Sequence, residues 1–119
     1  MMKLIGQVIV ITSMVFAATA HAAGGWTANE VPVKVEIVRG QGFMIFGSYG
    51  DPGNTPCGTD NGIWVPKEHT QYAELLSTAL SAFAGQFKLQ AYVHTCVNIG
   101  WHGGEYNQLS NSGALYISR

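Results

Sequence analysis

The side chains best suited to chemistry crowd toward the C-terminal end of this chain. Trp101, His102, Tyr106, Asn107 and Gln108 fall within one short segment, and Tyr49 stands apart in an earlier turn-rich stretch. Flat aromatic rings beside amides can stack on sugar rings and hydrogen-bond their hydroxyls. These six residues form the candidate binding set. No catalytic residue is assigned. Ser48 and Ser77 have no nucleophile motif around them, and the pairs Asp51/Asp60 and Glu68/Glu74 show no meaningful acid–base spacing. The run Gly100-Trp101-His102-Gly103-Gly104 lacks the strand-and-helix context of a phosphate loop. His94, His102 and Glu105 match no metal-ligand spacing, so neither a metal nor a cofactor is expected.

The two cysteines, Cys57 and Cys96, carry the other chemistry. They are not spaced as CxxC, and no histidine lies within ligand spacing of both. The reading is one disulfide, with a free reactive thiol pair or a metal site as the alternatives. Closing a loop of roughly 40 residues is worth about 4 kcal/mol in the loop-entropy account. The compartment supports the bond. Lys3 precedes an apolar stretch over residues 4–18, and Ala20-His21-Ala22 follows as a small-x-small cleavage pattern. Residues 1–22 read as a secretory signal peptide, with an uncleaved anchor as the rival. Residues 23–119 then form a single exported domain, periplasmic or secreted, with no membrane span. Without Lys3 the domain carries five basic residues against seven acidic ones. That balance gives no electrostatic footprint for nucleic acid or anionic lipid. A domain this small gains from a covalent staple.

These residues must be positioned by a few short elements. Residues 23–30 read as a flexible lead-in. Val33, Val35 and Ile37 alternate with Lys34 and Glu36, which predicts a half-buried strand. Gly40-Gln41-Gly42 marks a turn into Phe43-Met44-Ile45-Phe46, apolar on both faces and so a central strand or one that meets a partner. Residues 49–62 are dense in Gly, Pro, Asn and Asp and predict a long loop, with room for a short strand near Cys57. Trp64 is expected to be buried as it opens a helix over about 66–84. Pro66 and Glu68 would lie in its first turn, Gly85 would end it, and Tyr72, Leu75, Leu76, Ala79, Leu80 and Phe83 would form its buried stripe. Residues 87–94 alternate as a further strand ended by Cys96. Residues 97–104 read as a glycine-rich aromatic loop and residues 114–118 as a last strand. The fold class is α+β: a curled, mostly antiparallel sheet of four to six strands packed on one helix, with one disulfide.

Residues 57–93 carry a resemblance. Cys57, Trp64, the helix that follows, and Ala84-Gly85-Gln86 leading into Phe87-Lys88-Leu89-Gln90-Ala91-Tyr92-Val93 are similar to the B subunits of bacterial AB5 toxins of the subtilase-cytotoxin and pertussis-like group. The resemblance implies an OB-like fold and a ring of five copies, and it transfers no glycan-binding residue. The leading functional expectation is a non-enzymatic exported binding domain for a glycan or a protein surface. One alternative is a small periplasmic enzyme or enzyme inhibitor acting through residues 101–108. Another is a monomeric envelope protein with a structural or stress role.

Overall fold

The computed structural model describes residues 24–53 and 55–119. The expected signal peptide lies outside the described residues. The described residues are α+β, with two sheets and one helix. Strands β1 (Gly25–Trp26), β2 (Lys34–Val38), β3 (Gly42–Phe46) and β4 (Gly62–Pro66) precede helix α1 (Tyr72–Gly85). Strands β5 (Lys88–Val93), β6 (Thr95–Ile99), β7 (Gly104–Gln108) and β8 (Ala114–Ser118) follow it. A five-stranded sheet has the order β2-β3-β4-β7-β6, and a three-stranded sheet the order β1-β5-β8. All pairings are antiparallel except β4 with β7, which is parallel. The two sheets share a path, because only His94 separates β5 from β6.

Where the sequence predicts a single curled sheet the described residues form two, and a second difference lies at Trp64. Residues 62–66 are strand rather than helix entry. Ile63, Trp64 and Val65 are β-branched or aromatic, and tertiary pairing with β3 on one side and β7 on the other decides their state. Pro66 ends that strand, and Glu68 lies in the turn before the helix. The helix starts only at Tyr72, after two bonded turns in which the His69 N–H donates to the Pro66 carbonyl and the Tyr72 N–H to the His69 carbonyl. At its end Gly85 is still helical. Gln86 takes the left-handed cap at φ 57°, and its N–H donates to Ala82 O. The buried stripe is also rotated from the expected one. Leu75, Ala79 and Ala82 are buried, with Tyr72 and Leu76 packed against the core, while Leu80 and Phe83 are exposed.

Two apolar clusters hold the fold. The larger lies between the helix and the sheets and contains Phe43, Ile45, Tyr49, Ile63, Val65, Leu75, Ala79, Leu89, Ala91, Val93 and Leu109. The smaller lies on the other face of the five-stranded sheet and contains Met44, Phe46, Trp64, Ile99 and Tyr106, with Val38 and Val97 against it. Because successive side chains point to opposite faces, β3 feeds both clusters and is buried throughout, which is the central-strand position. Strand β2 is an edge, and there Val33 and Ile37 are exposed instead of facing a core. Gly42 permits the β3–β4 approach, since a Cβ there would strike Val65 O and the Trp64 ring.

Two other expectations change. The lead-in is ordered: β1 pairs with β5, Glu30 bridges to Leu89, and Thr27 is buried. Residues 97–104 are mostly paired, forming β6, a 3₁₀ turn at Gly100–His102 and the start of β7. Among the described residues no strand forms near Cys57. The disulfide is formed between Cys57 and Cys96, 39 positions apart and with 5.4 Å between their Cα atoms. Among the described residues no helix is long and apolar enough to cross a membrane. Reduction by dithiothreitol is expected to cost about 4 kcal/mol of stability, read as a fall in denaturation midpoint. An unchanged midpoint would contradict a structural role for the bond.

Candidate functional site

The Gly/Pro-rich loop after β3 has no ladder to hold it, so side chains do. Asp51 is the centre. Its Oδ1 accepts from the Cys57 N–H at 3.0 Å and from Asn107 Nδ2 at 3.0 Å, and its Oδ2 accepts from the Gly58 N–H at 2.8 Å. Burial alone would raise the Asp51 carboxyl. The N–H groups of Gly58 and Cys57 and the Asn107 amide together outweigh it and hold the carboxyl below its ordinary value. The loop is thus pinned beside β6 and β7 by the disulfide, the Asp51 carboxylate and the Thr59 hydroxyl, which donates to the Glu105 carbonyl.

The six candidate residues divide into two groups. Tyr49 is buried in the main core and its hydroxyl donates to Glu30 O at 3.0 Å. Burial, then the nearby Glu30 charge, pushes its phenol far above the ordinary range. Tyr106 is buried in the smaller cluster, and Asn107 is buried beneath the disulfide with its amide committed to Asp51. These three offer a ligand almost no surface. Trp101, His102 and Gln108 remain accessible and lie on or over one face of the five-stranded sheet. Gln108 is in register with Trp64 across β4–β7.

The 3₁₀ turn arches over that face. Trp101 lies edge-on to Trp64 with 5.9 Å between ring centroids, and His102 packs against Phe46 at 5.2 Å and Tyr106 at 6.0 Å. Glu36 on β2 holds both turn residues: Trp101 Nε1 donates to its Oε1 at 3.3 Å, and His102 Nε2 meets the same oxygen at 2.9 Å. The hydrogen bond from His102 is the main reason the Glu36 carboxyl lies below its ordinary value, against a smaller opposing effect of burial. Trp101 is 51% exposed. A tryptophan fixed on one edge and half open to water is pre-organised for stacking, because its rotamer entropy is already spent.

Trp101 stands at one wall of a groove of ≈ 450 Å³ that also includes Gln41, Trp64, Glu68, Asn98 and Gln108. Among the described residues, the side chains of Gln41, Glu68, Asn98 and Gln108 take part in no internal hydrogen bond, so their donors and acceptors are open to a ligand. A depression of ≈ 490 Å³ at Val33, Lys34, Phe46, Gly47, Ser48 and Asn61 differs in kind: it is mainly apolar, and its Lys34 ammonium sits 4.2 Å over the Phe46 ring. His94 and Glu105 do not join His102, and no group of three or more His, Cys, Asp or Glu that could hold a metal ion occurs among the described residues. Known protein families, curated proteins and solved structures contain no match to the chain.

Sequence reasoning missed three contributors. Glu36 read as a solvent-facing member of an alternating strand, and Glu68 as a first-turn helix residue. Asp51 was one turn residue among many. Only the fold brings Glu36 to Trp101 or Asp51 to Asn107. The Asp51 pin gives a pH test with a defined sign. A carboxyl lowered by folding contributes stability fully above its ordinary value of about 3.9 and loses it as pH falls through the folded value. Asp51→Asn is expected to lose about 1–2 kcal/mol at pH 7, the low end because the site is partly solvated. As pH falls through that folded value, the gap between its thermal midpoint and that of the unaltered protein is expected to narrow.

Proposed function

We propose that this chain is an exported, disulfide-stapled, OB-like domain that binds a saccharide in the groove under Trp101. The topology supports the OB-like reading. Three antiparallel strands (β2, β3, β4) are followed by the helix and a hairpin (β6, β7), and the hairpin's second strand runs parallel to β4. Strand β5, continuous with β6 through His94, returns to pair with β1 just ahead of β2, which brings the ends of the sheet toward closure. In OB folds, ligands such as oligonucleotides and oligosaccharides bind on the face of strands 2 and 3, between the first loop and the loop of the last hairpin. Here Gly40 and Gln41 come from the first of those loops, Trp101 from the second and Trp64 from the third strand, and all four line one groove.

The observation that carries the reading is Trp101: half exposed, clamped by Glu36, and facing uncommitted amides. A stacking ring beside several free amides suits the apolar faces and hydroxyl rims of a sugar. The excess of acidic over basic residues argues against the oligonucleotide use of the same surface. On this reading Trp101→Ala lowers saccharide binding at least tenfold while leaving the thermal midpoint within a few degrees, measured on a glycan array and by calorimetry. Retained affinity in a folded Trp101→Ala protein would overturn it.

Self-association through the β2 edge is the second element of the proposal. An edge strand with unpaired backbone groups and exposed Val33 and Ile37, at 71% and 57%, is suited to strand addition by another copy. The toxin B-subunit resemblance suggests five copies, and a ring would multiply a weak single-site affinity. Light scattering is expected to give a multiple of the single-chain mass, reduced to one chain by Ile37→Asp. A single-chain mass for the unaltered protein contradicts the assembly.

A further inference from the structure

The Trp101 groove does not end at Gln108. Pro66, Glu68 and Gln108 also line an adjoining depression of ≈ 290 Å³, which continues to His69, Ser110 and Asn111. The two are compartments of one trough with Glu68 at their junction. The far end is firmly built. His69 Nδ1 accepts from the Gln71 N–H at 3.0 Å, and its Nε2 meets the Ser110 carbonyl at 3.0 Å. Asn111 Oδ1 accepts from the Thr70 N–H at 3.1 Å and from the Thr70 hydroxyl at 3.3 Å. Both ring nitrogens of His69 are thereby occupied, whereas the Asn111 amide nitrogen makes no bond among the described residues.

The charge along the trough is one-sided. Glu68 is the sole carboxylate in its lining, and no lysine or arginine lines either compartment. Arg39 and Lys67 neighbour lining residues in sequence but are not part of the wall. A ligand carboxylate placed here would face Glu68 with no cation in the wall to answer it. A pair of sugar hydroxyls would instead donate to it in charge-assisted hydrogen bonds. Specificity then comes from repulsion of the wrong ligand as much as from attraction of the right one.

We infer that the trough takes an uncharged saccharide of at least two rings, one stacked at Trp101 and the next reaching Asn111, and that Glu68 excludes acidic glycans. This rests on the saccharide reading above. The test is calorimetry on the full exported chain with uncharged oligosaccharides of one to four rings and their sialylated counterparts. Two-ring and longer uncharged ligands are expected to bind at least tenfold more tightly than one ring, and sialylated ones at least tenfold more weakly than uncharged ones of equal length. Glu68→Gln, on an exposed turn, is expected to shrink that discrimination about tenfold. Asn111→Ala removes the amide donor without adding charge, and is expected to reduce the advantage of the second ring. Sialylated ligands binding as well as uncharged ones, discrimination unchanged in Glu68→Gln, or affinity independent of length would each overturn this inference while Trp101-dependent binding survives. No saccharide bound at all, or binding indifferent to Trp101→Ala, overturns the saccharide reading and this inference together.

Discussion

Strand β4 must bury both of its faces, and the rest of the molecule is arranged around that requirement. Ile63 and Val65 point into the helix-covered core and Trp64 points the other way. One face is closed by α1, whose Leu75, Ala79 and Ala82 approach closely because two of the three are small. The other has no second helix. It is closed by Ile99 and Tyr106 of the last hairpin and by the 3₁₀ turn folded across it. That turn carries Trp101 and His102, so the need to cover Trp64 is also what raises an aromatic wall over the groove.

Much of the fold was legible. Period-two alternation placed β5 and its buried Leu89, Ala91 and Val93, and the doubly apolar run over residues 43–46 gave a central strand. Two cysteines in an export context gave the bond that is present. The failures share a cause. Residues 63–65 and 97–99 are too short to show a period, so their strand state comes from partners distant in the chain. The helical stripe was set one position off because Leu80 and Phe83 are apolar yet exposed, while the small Ala82 is the residue that meets the sheet.

The site was legible as a segment and not as an arrangement. Aromatics and amides mark residues 101–108 as a segment, but a strand sends alternate residues to opposite faces. Asn107 therefore turns toward Asp51 and the disulfide, while Gln108 turns toward Trp64. Glu36 and Asp51 bond partners tens of residues away, and Glu68 shares its groove with Trp101 and Gln108, relations no local pattern carries. Two of these carboxylates are engaged in holding structure. Glu68 alone stands unengaged in the groove.

The parallel register of β4 with β7 bears on how quickly the chain can find its fold. Ile63 and Asn107 meet across a helix and two strands, and the antiparallel meander of β2, β3 and β4 can form long before them. Such distant pairing is slow, because the closure entropy is spent before any contact repays it. Cys57 and Cys96 flank the same junction, and Cys96 lies directly opposite Asn107 in the β6–β7 ladder. An oxidising compartment that joins them early turns a search through the whole chain into a short local one. Early closure of this bond would thereby raise the folding rate as well as the stability, and a chain kept reduced would linger with β4 uncovered.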